Sequence, residues 1–299
     1  MTEKKPQEPE RIMTNYECIE AELKRHQNTN KIVLALGHNA KSEAGKTEAF
    51  KYIASVLIEI QKSATDDKKD LTICTPDSIV RAIIDAATFR LPIDGRQLAY
   101  LIRYENKAGR CFEAKFQPGY KGFIYKIAEH YKDVDFTAEP VFEGDQLDLS
   151  DEGGFQTYKH IRPNPFQKDQ AKMIGLIACL AYSSDAGRHS KIATLPKSEI
   201  DQIRKAAKQD FIWASWYFEK AKAAALKRLC KIHFATVMGV QELIMYDNET
   251  HFAIETPNGD RITQAGGADD LAKALEHKPA VPMEIVENVT EGVKADVAK

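Results

Sequence analysis

Two stretches hold residue types that could do chemistry at a useful spacing. The first is Pro118-Gly119-Tyr120-Lys121-Gly122-Phe123-Ile124, two glycines three apart with a tyrosine and a lysine between them. It opens a helix that turns Ile124, Ile127 and Ala128 inward. A helix start has orphan N–H groups and a partial positive charge, and a glycine there lets a ligand come close. Lys121 adds a full charge and Tyr120 an aromatic face, so a phosphate backbone is a matching ligand. The same residues also have a plain structural reading, in which Gly119 makes the turn and Gly122 packs against a sheet. The second stretch is residues 217–233, a long helix with Phe218, Ala221, Ala225, Leu229 and Ile232 on its apolar face. Lys220 and Lys227 are seven apart and Lys227 and Lys231 four apart, which makes a stripe on the order of 16 Å long with Arg228 one step round. Lys222 lies about 140° away and is expected to serve another surface, such as a subunit contact. A charged run is usually a solvated face, but the excess of one sign favours a surface that meets phosphates.

A third stretch needs weighing. Residues 40–47, Ala-Lys-Ser-Glu-Ala-Gly-Lys-Thr, nearly match a phosphate loop, with an apolar run before them and a helix after. The segment 243–247 would then supply a metal-binding strand end. Against this, position 40 is Ala rather than Gly, and Glu43 puts a negative charge where phosphates would lie.

These residues have to be positioned by a mixed framework. Residues 98–104 and 110–117 alternate as two strands around a turn at 106–109. Helices are expected over 11–27, over 47–62 with Phe50, Ile53, Ala54, Leu57 and Ile58 on one face, and from Thr75, which has Pro76 at its first position, to about Leu91. After residue 131 the pattern returns to strands at 134–142, 155–161, 173–182 and 191–195. Residues 143–145 read as a turn, and 150–154 and 162–172 as loops. The run 173–182 is nearly all apolar, as a buried central strand would be. A helix follows over 198–209. Beyond about residue 240 the signal fades to a short hairpin around 257–259, a Gly266-Gly267 linker and a short helix at 269–277, with mobile segments at 1–10 and from 278 onward.

Composition narrows the function. The 299 residues carry a net charge of −2, which alone argues against nucleic acid. Its distribution does not: residues 242–299 hold 12 acidic and 5 basic residues, a net of −7, while 204–231 hold 8 basic and 2 acidic, a net of +6. The five cysteines have no paired spacing, and the eight histidines no ligand pattern. Reduced thiols, no metal and a cytoplasmic location are expected. No apolar run reaches membrane-spanning length, and residues 1–10 are too polar for a secretory signal. A metal-dependent nuclease would need a tight acidic cluster, whereas Asp145, Asp148, Asp151 and Glu152 read as a loop charge run.

The run Phe116-Gln117-Pro118-Gly119-Tyr120-Lys121-Gly122-Phe123-Ile124 resembles the Gln-Phe-Gln-x-Gly-Tyr-Lys-Gly signature of the RecT family, phage and prophage single-strand annealing proteins. Other pieces follow in order. Thr75-Pro76-Asp77-Ser78 with Ala86-Ala87 and Leu91 resembles the helix before the signature, and Glu139, Val141 and Glu143-Gly144-Asp145 the element after it. His160-Ile161-Arg162-Pro163 resembles a His-Arg-Pro element. Trp216, Lys222 and Lys227-Arg228-Leu229-Cys230-Lys231 resemble a Trp…Lys-Thr…Arg-Arg-Leu-x-Lys helix. The resemblance covers roughly residues 71–234. Two departures stand out: Lys222-Ala223 replaces Lys-Thr, and Pro118 replaces an aliphatic residue.

The expected architecture is α+β: a mainly antiparallel sheet with helices packed on it, a helical region over 1–70, an annealing core over 71–240 and an acidic C-terminal region over 241–299. The resemblance implies ATP-independent binding and annealing of single-stranded DNA by a ring or filament of subunits, without cofactor or catalytic residue. It also implies partners such as an exonuclease and a single-strand-binding protein at the C-terminal region. The expected DNA-binding set is Arg110, Lys115, Tyr120, Lys121, Lys126, Lys159, His160, Arg162, Lys220, Lys227, Arg228 and Lys231, with Gly119 and Gly122 at the helix start. The alternative is an ATP-dependent recombinase using residues 40–47.

Overall fold

The computed structural model describes residues 13–251 apart from 154, 208 and 209. The expectations for residues 1–10, the hairpin around 257–259, the linker at 266–267, the helix at 269–277 and the tail from 278 lie outside the described residues.

The chain opens with helices. Thr14 caps α1 (Asn15–Lys24) through a capping box with Glu17. The single helix expected over 11–27 is broken at Arg25, whose backbone turns extended (ψ 130°), and α2 (His26–Ala35) follows at once. Asn28 and Thr29 donate back to the carbonyls of Glu22 and Leu23, which lets the chain turn there without glycine or proline. Ser42 caps α3 (Glu43–Ser63). Its buried side is Tyr52, Ile53, Val56, Leu57 and Ile60, so the inward face is rotated from the expected one; Phe50 and Ile58 are each 52% exposed. The helix α4 (Pro76–Thr88) starts at Thr75 with proline at its first position and buries Ile79, Val80 and Ile83, as the sequence pattern requires. It packs against α1, α2 and the second strand of the hairpin.

That hairpin is β1 (Ala99–Asn106) and β2 (Cys111–Pro118), a two-stranded antiparallel sheet in register from Ala99↔Pro118 to Asn106↔Cys111. The Asn106 side chain accepts from Gly109 N–H at 2.9 Å and closes the turn. After β2 come α5 (Tyr120–Ala128) and a second sheet with order β3-β6-β7-β5-β4. Its strands are β3 (Lys132–Phe142), β4 (Gln146–Glu152), β5 (Phe155–Ile161), β6 (Met173–Ser184) and β7 (Gly187–Pro196). All pairs are antiparallel except a single parallel contact, Phe155↔Ser190. Residues 150–152, expected in a loop, finish β4 because β5 supplies their cross-strand partners.

The β4–β5 ribbon crosses one face of this sheet. It meets β7 at Ser190, then Tyr158 reaches Thr137 of β3 at 3.1 Å, and Arg162 Nη2 donates to the Pro140 carbonyl at 2.7 Å. The remaining elements are α6 (Lys197–Ala206), α7 (Asp210–Ser215), α8 (Tyr217–His233) and α9 (Val240–His251). Helix α8 lies across β3, β6 and β7, burying Ala221, Ala225 and Leu229; alanines at the contact let it come close to the strands. The architecture is α+β, with a mainly antiparallel sheet and a helical N-terminal part.

Candidate nucleic-acid interface

The glycines of the α5 start are fixed by backbone approach. A Cβ on Gly119 would lie 2.9 Å from the Gln97 carbonyl oxygen and 3.0 Å from the Tyr100 ring. One on Gly122 would drive into the Leu98 carbonyl oxygen. The Gly119 N–H donates to that same Leu98 carbonyl at 2.9 Å. The two glycines therefore let the first turn of α5 lie on the chain entering β1, and this placement sets Tyr120 and Lys121 at the edge of the hairpin. Lys121 Nζ donates to Gln97 Oε1 at 3.2 Å and stays partly exposed. Tyr120 meets the exposed Phe136 of β3 edge-on, with ring centroids 6.0 Å apart. Burial pushes the phenols of Tyr100 and Tyr120 up, helped by Tyr120 in the first case and Glu219 in the second. The α5 start thus carries three partly exposed aromatic side chains beside a lysine.

Helix α8 brings its lysines to the same junction. Lys227 Nζ donates to Asp247 Oδ1 at 2.6 Å and to the Pro118 carbonyl at 3.4 Å, and stands 5.4 Å from the centre of the Phe123 ring. Lys231 Nζ lies 2.6 Å from Asp247 Oδ2 and donates to Asn248 Oδ1 at 3.0 Å. Asp247 comes from α9, and its side chain is 1% exposed. The neighbouring Tyr246 anchors that helix: its hydroxyl donates to Asp85 of α4 at 2.9 Å, and its ring packs on Phe89 and Phe116. Burial pulls the Lys227 pKa down; Asp247 opposes the shift, while Lys231 and Lys220 add to it. Lys220 is lowered by burial alone, and among the described residues no acidic side chain pairs with it. Two lysines here hold one carboxylate, and Lys220 adds a third cation near Lys227.

The junction therefore gathers Gly119, Tyr120, Lys121, Gly122, Lys220, Lys227 and Lys231. The stripe on α8 is not the open solvent face that its spacing suggests, because α9 covers part of it. Lys115 stands apart on β2, with its ammonium 5.7 Å from the Tyr104 ring, and Arg110 is exposed at the hairpin turn with φ 50°. Lys222 is paired with Glu219 at 3.1 Å.

Other members of the expected set are engaged inside the fold. Lys126 is buried, pairs with Glu129 at 2.9 Å and runs its stem against Gly239. Arg228 faces the other way and pairs with Glu199 of α6. Lys159 is exposed on β5, opposite Asp148. His160 is buried, with Nδ1 2.9 Å from Glu139 and Nε2 2.9 Å from Asp145, so both ring nitrogens hold β5 to the end of β3. Arg162 joins that cluster beside Asp145 and over the Phe142 ring. The sequence reading considered Asp247 only as the end of a metal-binding strand, not as the partner of the α8 lysines, and did not single out the aromatics Tyr100 and Phe136. The spacing of Val240, Leu243 and Asp247 along one buried helical side was the signal for the first.

The stretch 40–47 forms no phosphate cradle. A helix rather than a strand precedes it, and Glu43, Gly45, Lys46 and Thr47 already lie in the first turns of α3. Lys46 pairs with Glu43 at 2.7 Å, and the Thr47 hydroxyl donates to the Glu43 carbonyl. Asp247, the imagined metal ligand, is held by lysines in a helix. Among the described residues, no group of three or more His, Cys, Asp or Glu side chains is placed to hold a metal ion.

A family model, described as the RecT family, matches residues 51–260 of this chain. No curated protein matches it.

Proposed function

The chain belongs to the RecT family, whose members anneal single strands of DNA in recombination, and we propose that it does so without ATP, as an oligomeric ring or filament that lays one strand along the α5–α8 junction. The observation that carries this reading is the unequal count of three lysines to one carboxylate, set beside partly exposed aromatic rings at a helix start. Two strands repel through their phosphates, so a surface with cations left over lowers the barrier to their meeting. Aromatic faces hold bases without reading them, which leaves base pairing to test the sequence. No covalent bond changes in annealing, so no nucleophile or general base is required.

In this reading Tyr120, Lys121, Lys220, Lys227 and Lys231 form the centre. Lys115 and Arg110 extend it along the hairpin, and Lys159 lies at its periphery. Lys222, away from that stripe, serves the subunit contact. The acidic region beyond residue 251 is unsuited to DNA and suits protein partners, such as an exonuclease or a single-strand-binding protein. No described helix is long and apolar enough to cross a membrane. All five cysteines are free, in keeping with a reducing compartment such as the cytoplasm.

The test is annealing of complementary oligonucleotides by the full chain, with and without ATP, beside particle images of the product. Equal rates and ring or filament particles are expected. A requirement for ATP that Lys46→Ala abolishes would overturn the reading. Lys121→Ala should flatten the slope of log affinity against log salt by about 0.7, one single-strand phosphate contact per subunit.

A further inference from the structure

The two tryptophans of the chain sit three residues apart in opposite surroundings. Trp213 is 6% exposed and meets Tyr217 edge-on, with ring centroids 6.0 Å apart. Trp216, immediately before α8, is 65% exposed. Its carbonyl accepts from the Lys220 N–H at 2.9 Å, so the indole stands one turn ahead of that lysine. At about 100° per residue, Lys220, Lys227 and Lys231 fall within about 40° of one another around α8, and Trp216 is the residue that leads into its first turn. Lys227 and Lys231 are tied to Asp247. Lys220, one helical turn on from Trp216, has no acidic partner among the described residues.

An indole left in water is unfavourable, and its large flat face is the strongest stacking surface a protein can offer. A protein partner or a second copy would also cover it. The free ammonium one turn away decides for an anionic ligand with a flat apolar part, which is what a nucleotide is. We infer that Trp216 is a base-stacking platform and that Lys220 holds the phosphate of the nucleotide stacked on it. This rests on the reading of the chain as a single-strand binder and assigns the parts of one nucleotide to two residues. Stacking uses the face of a base and leaves its pairing edge open, so a strand held this way stays ready to anneal. Every base has such a face, so the platform works on any sequence.

The assignment can be read optically, because the chain has two tryptophans and Trp213 is buried. The full-length protein is titrated with short oligothymidylate while tryptophan emission, quenching by acrylamide and anisotropy of a labelled strand are followed. Binding should change the emission and protect it from acrylamide, and Trp216→Phe, which keeps Trp213, should lose that response while keeping most of the affinity. Trp216→Ala should bind about 5- to 150-fold more weakly, with an unchanged salt slope because no charge is removed. Lys220→Ala should do the reverse, lowering the slope by about 0.7 while the emission still responds. Circular dichroism checks that each variant is folded. The assignment is overturned if the strand binds but emission and acrylamide access do not change, or if Trp216→Ala binds like the parent. It is also overturned if raising the protein concentration without DNA protects the indole, since a second copy then covers it. If the parent binds no oligothymidylate at low salt, the underlying single-strand reading fails, which is a different result from the first three.

Discussion

Asp247→Asn is the sharpest probe of how the basic junction is held. The carboxylate is 1% exposed, and its two oxygens each lie 2.6 Å from a lysine nitrogen. The substitution keeps the shape and removes the charge, leaving two ammonium groups facing each other. Removing one partner of a buried ion pair typically costs about 3–5 kcal/mol. Here the side chains of Lys227 and Lys231 are still 20% and 26% exposed, so water recovers part of the loss. The expected destabilisation is therefore near the lower end, about 3 kcal/mol. That is a large share of a typical stability of about 5–15 kcal/mol, but the variant should still fold. Urea unfolding of the full chain measures it. Adding Lys227→Met should recover about 1–3 kcal/mol, because one of the two unmatched charges is gone. The free lysines should also steepen the salt dependence of oligonucleotide binding. If Asp247→Asn unfolds within about 0.5 kcal/mol of the parent, the clamp between α8 and α9 has no energetic role and the argument fails.

Three further outcomes are expected. Burial alone would raise the pKa of Asp145, but the Phe142 N–H, His160 and Arg162 outweigh it and hold the carboxyl below its usual value. Its contribution is thus complete above about pH 4 and lost as pH falls through the depressed folded value, so Asp145→Asn should flatten the acid limb of urea midpoint against pH. Gly122→Ala puts a methyl group into the Leu98 carbonyl oxygen and should destabilise the fold by about 1–3 kcal/mol in the same assay, whereas an unaffected variant would remove the close-approach argument. Removing residues 266–299 should leave purified protein able to anneal oligonucleotides, and complete loss in a well-folded truncation would contradict the partner-binding role proposed for that region.

Local signals carried much of this fold. Thr75-Pro76 set the start of α4, the nearly continuous apolar run 173–182 formed the interior strand β6, between β3 and β7, and the hairpin and α5 lay where alternation and glycine spacing put them. What was not legible depends on partners far away in the chain. Tyr246 of α9 is fixed by Asp85, 161 residues earlier, and Asp247 by lysines of another helix. The polar run Gln-Leu-Asp-Leu-Ser-Asp-Glu is a strand only because β5 pairs with it. His160 has the residue type of a DNA contact, yet two carboxylates from outside its strand occupy both ring nitrogens. Residue type shows what a side chain can bind; it does not show whether the fold has already bound it.

The same point changes how the charge of α8 is counted. The excess of basic residues over 204–231 suggests a strongly cationic surface, but Arg228 is matched by Glu199 and Lys222 by Glu219. Lys227 and Lys231 share one carboxylate and Lys220 pairs with none among the described residues, so two charges remain over from this helix. In the proposed function, with Lys121 the junction would offer about three phosphate contacts per subunit, a salt slope near −2 at about 0.7 each. Such a site is weak alone. In the proposed ring or filament, a strand crossing many subunits would add these small terms and be held firmly, while each segment could still let go. Annealing needs both properties, since the bound strand has to stay extended until its complement pairs and the duplex then has to leave. The slope measured with oligonucleotides of increasing length should therefore grow in steps of about −2 as each added subunit is reached. A slope independent of length would mean that one subunit makes all the contacts, and the shared-surface argument would fall.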